Sequence, residues 1–373
     1  MYDINKILIL HTSTTIGGAE YSLLEFLHNL KGFPIEIHIA VSSQTKKLFK
    51  DIVNIPVYFQ NFELHYFKRH QNLKSHLQSF ISFIICNYKI FRLVKKQHVN
   101  TVYCNTFRTL PYCFAIKLFS KTQIICHCRD NISSEFIQYL IKYGSNKSIA
   151  VSAAIKNQIS DDKVKIIHNG VNISYFSDSQ PTGWLQRELN LSRDTKIIGN
   201  IGQIVSWKNQ TDYVLIAKEL IEQNANLHFL LIGGSVDNNY FRLLKQQIDS
   251  FNLNSYFTLT GQVEDIKKYI GELEILIHTA TNEPFGRVII EVAAASKPVI
   301  AYDSGGVSEI IRSGETGFLV QDRDIRKMVE YAFLLLNDQS LRKSIGSFAQ
   351  KHVIENFNSI DYARKVYNTL VSD

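Results

Sequence analysis

The sequence predicts an α/β protein of two Rossmann-like domains facing each other across a cleft. Three observations carry that prediction. Short β-branched runs alternate with longer helical patterns, the rhythm of parallel α/β layers. The alternation comes in two series, separated by a polar stretch that breaks it. The chain has 373 residues and 45% hydrophobic content, enough for two domains of ordinary size, each with its own core.

The first series holds the runs at 6–11, 36–41, 101–104 and 123–126, and the second those at 196–202, 228–233, 275–278 and 298–302. Residues 172–195 are polar, contain Pro181-Thr182-Gly183, and read as the interdomain connection. The first domain is therefore expected over 1–171, the second over 196–355, and a terminal segment over 356–373, with a helix at 361–370. No internal repeat is evident, so the halves are architecturally similar without being copies. Open parallel sheets bind ligands beyond the carboxyl ends of their strands, which makes the cleft the default site.

Bulk properties exclude several classes. The longest apolar run, at 80–86, is interrupted by Ser82 and falls short of the roughly 18 residues needed to cross a bilayer. The start, Met1-Tyr2-Asp3, runs into a strand without a basic region or cleavage site, so a cytoplasmic location is expected. Five cysteines, at 86, 104, 113, 126 and 128, lack zinc-site spacing and are expected as buried thiols. Cys126 and Cys128 flank His127, but two ligands cannot make a tetrahedral site, and no metal is expected there.

Charge is uneven. Residues 1–170 carry 21 Lys and Arg against 10 Asp and Glu, and residues 171–373 carry 20 against 24. The basic half suits an anionic partner, such as a phospholipid surface or a pyrophosphate-bearing acceptor; nothing supports nucleic acid. Leu73, Leu77, Phe80, Ile81, Ile84, Tyr88, Phe91 and Val94 recur at helical spacing. Lys68, Arg69, Lys74, Lys89, Arg92, Lys95 and Lys96 cluster around them. Two readings stay open: a core-packed helix with a solvated basic face, or a contact with an anionic membrane surface.

Two motifs carry chemistry. Gly17-Gly18-Ala19-Glu20 follows the first strand and opens a helix, where glycines and helix N–H donors suit a phosphate. Glu283-Pro284-Phe285-Gly286-Arg287 leads through to Glu291 after the strand at 275–278. Two acids eight residues apart, on a loop and its following helix, are placed to grip different parts of one extended ligand. Glu291 could accept hydrogen bonds from a vicinal diol and Glu283 from a second polyol. The plainer reading is a capped helix with a solvated acid.

These residues resemble family 4 of the retaining glycosyltransferases, which have the GT-B fold. In that resemblance the first acid of an E-x7-E element, Glu283, meets the transferred sugar, and the second, Glu291, meets the nucleotide ribose. The amides around Phe285 and Gly286 approach the sugar and diphosphate. Further resemblance lies in Gly17-Gly18-Ala19-Glu20, His168-Asn169-Gly170-Val171-Asn172, Asp303-Ser304-Gly305-Gly306-Val307-Ser308-Glu309 and Thr316-Gly317-Phe318, so it spans nearly the whole chain. Lys208 matches the family lysine that neutralises the donor diphosphate, as a point charge can. The usual arginine five residues earlier is Gln203, which leaves Lys208, Arg287 and helix N-termini to share the load. His127 resembles a histidine presented to the transferred sugar. Asn105 and Arg108, after the strand at 101–104, would border the acceptor cleft by topology. In this fold the terminal helix returns to the N-terminal domain.

Asp322-Arg323-Asp324 spells D-x-D, but it opens the C-terminal helical region and is expected as a helix N-cap. The resemblance thus implies retaining, metal-independent transfer of a sugar from a nucleotide-sugar donor to a glycan or lipid-linked acceptor. It implies no cofactor, with bacterial surface polysaccharide as the setting. The rival readings are a nucleotide-sugar epimerase of the same fold and a non-catalytic nucleotide-sugar binding protein.

Overall fold

The structure is a computed structural model; it describes residues 4–13, 16–41, 46, 49, 57–59, 73–161, 163–223 and 226–372. Met1, Tyr2 and Asp3, with Lys68 and Arg69 of the basic cluster, lie outside the described residues, as do the side chains of Leu73, Lys74 and Leu77. Two compact units divide the chain: residues 1–170 with 359–373, and residues 171–358.

The first unit runs β1 (Asn5–Leu10), α1 (Gly18–His28), β2 (Ile35–Ala40), β3 (Val57–Phe59), α2 (Leu73–Gln97) and β4 (Thr101–Cys104). It continues through a 3₁₀ turn (Phe107–Cys113), α3 (Phe114–Phe119), β5 (Gln123–Cys128), α4 (Glu135–Gly144), β6 (Lys147–Ala150), α5 (Ala153–Ile159) and β7 (Val164–Ile166). The seven strands are parallel, in the order β3-β2-β1-β4-β5-β6-β7. Alternation along the strands sends Ile7, Ile9, Ile37, Ile39, Tyr103 and Ile125 to one face. There they pack with Leu23, Phe26 and Leu27 of α1 and with Tyr362 and Val366 of the C-terminal helix, Ser359–Val371. That helix is tied down by the Phe33–Tyr367 ring contact at 4.5 Å and by Thr101, which donates to the Leu370 carbonyl.

The second unit runs α6 (Ile173–Ser177), α7 (Trp184–Glu188), β8 (Lys196–Ile201), α8 (Gln210–Gln223), β9 (Leu227–Ile232), α9 (Asn238–Ser250) and β10 (Phe257–Gly261). It ends with α10 (Ile266–Glu272), β11 (Ile275–His278), α11 (Arg287–Ala294), β12 (Val299–Tyr302), β13 (Phe318–Val320), α12 (Ile325–Asn337) and α13 (Gln339–Asn356). Its six parallel strands follow the order β10-β9-β8-β11-β12-β13. The expected connection at 172–195 is not a bare linker, because α6 and α7 fold onto this unit. Thr182 and Gly183 donate their amides to the buried Glu272 carboxylate at 2.8 and 3.0 Å.

Asp324 caps α12, its carboxylate accepting from the Lys327 amide at 3.0 Å, the role expected of the D-x-D stretch. All five cysteines are buried thiols outside any disulfide. Helix α2 forms where its spacing predicts, but with an unexpected face inward. Cys86, Ile90 and Val94 are buried, whereas Phe80, Ile81, Ile84 and Tyr88 are about half exposed. The core-packed reading therefore fails for four of the six apolar positions whose side chains are described.

Candidate active site

In both sheets the strand order reverses at one place, between β1 and β4 and between β8 and β11, where a crevice opens at the carboxyl ends of parallel strands. The candidate residues of the second unit sit on the two loops that leave its reversal point. Lys208 follows β8, and Glu283 follows β11. The loops are stitched together by backbone and side chain: Thr281 donates to the Trp207 carbonyl at 2.9 Å, and Thr279 Oγ1 to the Lys208 carbonyl at 3.0 Å.

The stitching brings two charges into contact. Lys208 Nζ lies 2.5 Å from Glu283 Oε2, with both side chains largely buried. The Lys208 ammonium also sits 4.4 Å from the centre of the Trp207 ring, a cation–π arrangement. His278 Nε2 reaches the same carboxylate oxygen at 3.1 Å. Burial pushes the Glu283 carboxyl up, but the Lys208 charge and the His278 hydrogen bond outweigh it and lower it to about 2. Burial likewise pushes the His278 imidazole below its ordinary value. A neutral His278 donating to an ionised Glu283 satisfies both groups. Sequence reasoning missed His278; the signal was a polar side chain ending an otherwise aliphatic strand, Ile275-Leu276-Ile277.

Glycines hold this loop in shape. Gly286 has φ +100°, the left-handed backbone from which α11 starts. Gly305 has φ +66°, and a Cβ there would lie 2.0 Å from the Glu283 carbonyl oxygen, which accepts from the Gly306 amide at 2.8 Å. The Asp303-to-Glu309 stretch thus clamps the Glu283 backbone. We predict that Gly305→Ala lowers the activity of this site at least tenfold, because displacing a reacting group by about 1 Å costs that much or more. Activity within twofold of the unsubstituted protein would refute the clamp.

Phe285 is buried, its ring 5.9 Å from that of Phe357, so this residue faces the site with its backbone. Arg287 Nε donates to Glu291 Oε1 at 2.6 Å along α11, so the second acid of the pair already holds a cation on its own helix. Pro284 is half-buried between Glu283 and Phe285. Gln203 is half-buried, and its carbonyl accepts from the Gln210 side chain at 2.9 Å. Its neighbour Gly202 lies under the Lys208 stem, where a Cβ would come within 3.3 Å of Lys208 Cε.

In the first unit, Gly17 and Gly18 open α1. Gly17 has φ −150°, extended backbone that any residue adopts, so its φ does not demand glycine. The buried Glu20 orders this loop: it accepts from the Gly17 amide at 2.7 Å and meets His11 Nε2 at 2.5 Å. Burial opposes its ionisation, but the His11 bond and charge prevail and hold the carboxyl below the usual range. His11 in turn meets Asn105, and Asn105 Oδ1 accepts from Arg129 Nε at 3.1 Å. Arg129 also donates to Asn169 at 2.7 Å, to the Tyr362 hydroxyl at 2.9 Å, to His127 Nδ1 at 3.1 Å and to the Tyr103 hydroxyl at 3.3 Å.

This network relocates two sequence candidates. His127 is 0% exposed: its ring lies inside the unit instead of on an open surface. Burial first and the Arg129 charge second push its imidazole well below the ordinary value, and Nδ1 accepts from both Tyr103 and Arg129, so the neutral ring carries its proton on Nε2. Asn105 is equally buried and positions neighbours instead of bordering open space, while the exposed Arg108 pairs with Asp130 at 3.6 Å.

Comparison with known proteins agrees with this geometry. Residues 185–352 match the family Glycosyl transferases group 1. A capsular polysaccharide biosynthesis glycosyltransferase of Staphylococcus aureus, CapM, is 26% identical over 64% of this chain and 66% of its own length. A 2-deoxystreptamine N-acetyl-D-glucosaminyltransferase of Niallia circulans is 24% identical over 65% of this chain and 68% of its own. The chain thus spans about two thirds of the length of these curated relatives. Among solved structures, Anabaena Alr3699/HepE in complex with UDP and glucose superimposes with TM-score 0.82 at 22% identity, covering 98% of this chain and 99% of that one. A glycosyltransferase from Rickettsia africae gives TM-score 0.83 at 22% identity over all of both chains. The chain has the GT-B fold, and its residues 185–352 are similar to the Glycosyl transferases group 1 domain.

Proposed function

We propose that this protein transfers a sugar from a nucleotide-sugar donor to a glycan or lipid-linked acceptor, with retention of anomeric configuration and without a metal ion. The observation that carries this reading is the Lys208–Glu283–His278 cluster at the sheet's reversal point. An acid lowered to about 2 stays ionised at working pH, so Glu283 accepts hydrogen bonds from sugar hydroxyls and does not serve as a general acid. Lys208 is the point charge that meets the departing diphosphate. Arg287 and the start of α11, which has no side-chain cap, supply the remaining positive potential. That cationic set takes the place of a divalent ion. Glu291 meets the ribose.

Retention without an assigned carboxylate nucleophile favours front-face transfer, in which the leaving phosphate helps deprotonate the acceptor hydroxyl. The UDP and glucose held by the Anabaena protein support a uridine-type donor, and the name of the Staphylococcus aureus relative supports a role in surface-polysaccharide synthesis. The basic first unit fits peripheral contact with anionic lipid. The test is product analysis. With a donor chosen by thermal shift across nucleotide sugars, NMR of the product shows the donor's anomeric configuration retained, and excess EDTA leaves the rate unchanged. An inverted product, conversion of donor without acceptor, or EDTA inhibition reversed by a divalent ion would each refute the corresponding part.

A further inference from the structure

On the face of the first sheet opposite α1, the 3₁₀ turn Phe107–Cys113 packs on β4 and β5, and α2, α3 and α4 pack around that turn. The inner side of α2 is accounted for by Cys86, Ile90 and Val94. Its outer side carries a second apolar stripe, Ile81, Ile84, Ile85 and Tyr88, at 46–59% exposure and helical spacing. The stripe continues onto the neighbouring helices. Phe91 meets Phe119 of α3 at 6.5 Å between ring centres, and Phe119 is 68% exposed. On α4, Phe136 is 72% exposed and Tyr139 is 63% exposed. Close to half of the exposed large apolar side chains among the described residues lie on these three helices. Scattered apolar residues are ordinary on a surface, but three adjacent helices of them are not.

Charge selects the occupant. Between Glu63 and Asp130 the sequence contains no Asp or Glu, and it holds eleven Lys and Arg. Arg92, Lys95 and Lys96 continue the outer face of α2 one to two turns beyond Tyr88, all exposed. Arg92 and Lys95 lie 5.8 Å from the Tyr88 and Phe91 rings. Lys117 lies on α3 and Lys121 just beyond it, both exposed, and Lys142 lies 5.8 Å from the Tyr143 ring on α4. The carboxylates that bound this stretch are Glu63, which lies outside the described residues, and Asp130, which pairs with Arg108; Glu135 opens α4. A second copy would oppose cation to cation, and nucleic acid offers nothing to an isoleucine stripe. Aliphatic side chains among interfacial aromatics, ringed by lysine and arginine, match the boundary between acyl chains and anionic headgroups.

We propose that the outer faces of α2, α3 and α4 dock the protein on an anionic lipid bilayer. This deepens the membrane contact in the reading above and rests on it, but it does not depend on the chemistry at Glu283.

The test is flotation with vesicles of phosphatidylglycerol and phosphatidylcholine, against vesicles of phosphatidylcholine alone. The intact protein floats with the anionic vesicles, and 0.5 M salt reverses it. The variant Arg92→Gln/Lys95→Gln/Lys96→Gln lowers partitioning roughly 10²-fold. Ile84→Ser/Ile85→Ser, which leaves the inner side of α2 untouched, lowers it at least tenfold. Both variants keep the circular dichroism and melting temperature of the intact protein and its rate on a soluble acceptor. Equal flotation of either variant, equal flotation with uncharged vesicles, or a dimer that the isoleucine variant dissolves would overturn the docking surface. Flotation as expected with no transfer by any form would instead refute the transferase reading and leave the surface standing.

Discussion

Glu283→Gln lowers transfer by roughly 10²-fold or more while the fold survives. The substitution keeps the side chain's shape and an oxygen for Lys208, but it removes the charge. Losing one preorganised group at the reacting centre costs about 3–4 kcal/mol of barrier stabilisation, whereas leaving Lys208 with a neutral partner costs about 1–3 kcal/mol of stability, a loss an ordinary domain tolerates. Because the folded Glu283 value lies below the ordinary 4.5, at about 2, the ion pair stabilises the protein fully above pH 4.5 and progressively less as pH falls toward 2. The stability gap between the two forms, measured by denaturant unfolding, therefore narrows between pH 5 and pH 2. A variant that transfers at the normal rate would eliminate Glu283 from the site. A gap that stays constant across that pH window would eliminate the ion pair as the cause of its ionisation.

Lys208→Met sharpens the argument. It strands the buried carboxylate with only His278 and removes the charge meant for the diphosphate, so transfer falls as well. The two substitutions act on one ion pair, and their combined effect on transfer is expected to fall well short of the sum of the separate effects. Additive losses would mean that Lys208 and Glu283 serve the reaction independently.

The alternation of elements was legible wherever a strand was a long aliphatic run: β4 and β11 form at the residues read from sequence, and β1, β2, β8 and β9 within one residue of them. The strands not read out were short or diluted. β3 and β7 have three residues each, β6 is Lys-Ser-Ile-Ala, and β10 is half polar, too little for a period of two to register. On α2 the helical period was plain, yet the helix carries two apolar stripes, and only the sheet it packs on decides which is buried. The motif residues Lys208 and Glu283 were readable singly. Their contact was not, because 75 positions separate them and it arises only where two loops leave the same reversal of strand order. His278 and Arg129 have no local signature at all: each is defined by partners that the fold delivers.

Arg129 is the most demanding of these. Its guanidinium is buried, with asparagine, tyrosine and histidine partners from β4, β5, the segment before residue 170 and the C-terminal helix, 233 positions away. Burying the charge is costly, and relief of that cost favours removing it. Yet Arg129→Met orphans the Asn105 and Asn169 amide oxygens and the Tyr362 hydroxyl, each costing about 1 kcal/mol or more when left buried and unpaired, while Tyr103 and His127 keep only each other. The second effect wins, and Arg129→Met is expected to destabilise the first unit by about 3 kcal/mol or more. Hydrogen exchange should then accelerate along residues 359–371, whose tie through Tyr362 is cut, while Arg129→Lys, which keeps the charge and fewer of the bonds, falls between. With the Arg129 charge gone the His127 imidazole rises, but burial, the larger cause, still holds it below its ordinary value, so NMR titration finds it neutral at pH 7. If Arg129→Met unfolded within 1 kcal/mol of the intact protein and left exchange at 359–371 unchanged, the network would be a consequence of packing by other residues and not what fastens the terminal helix to the sheet.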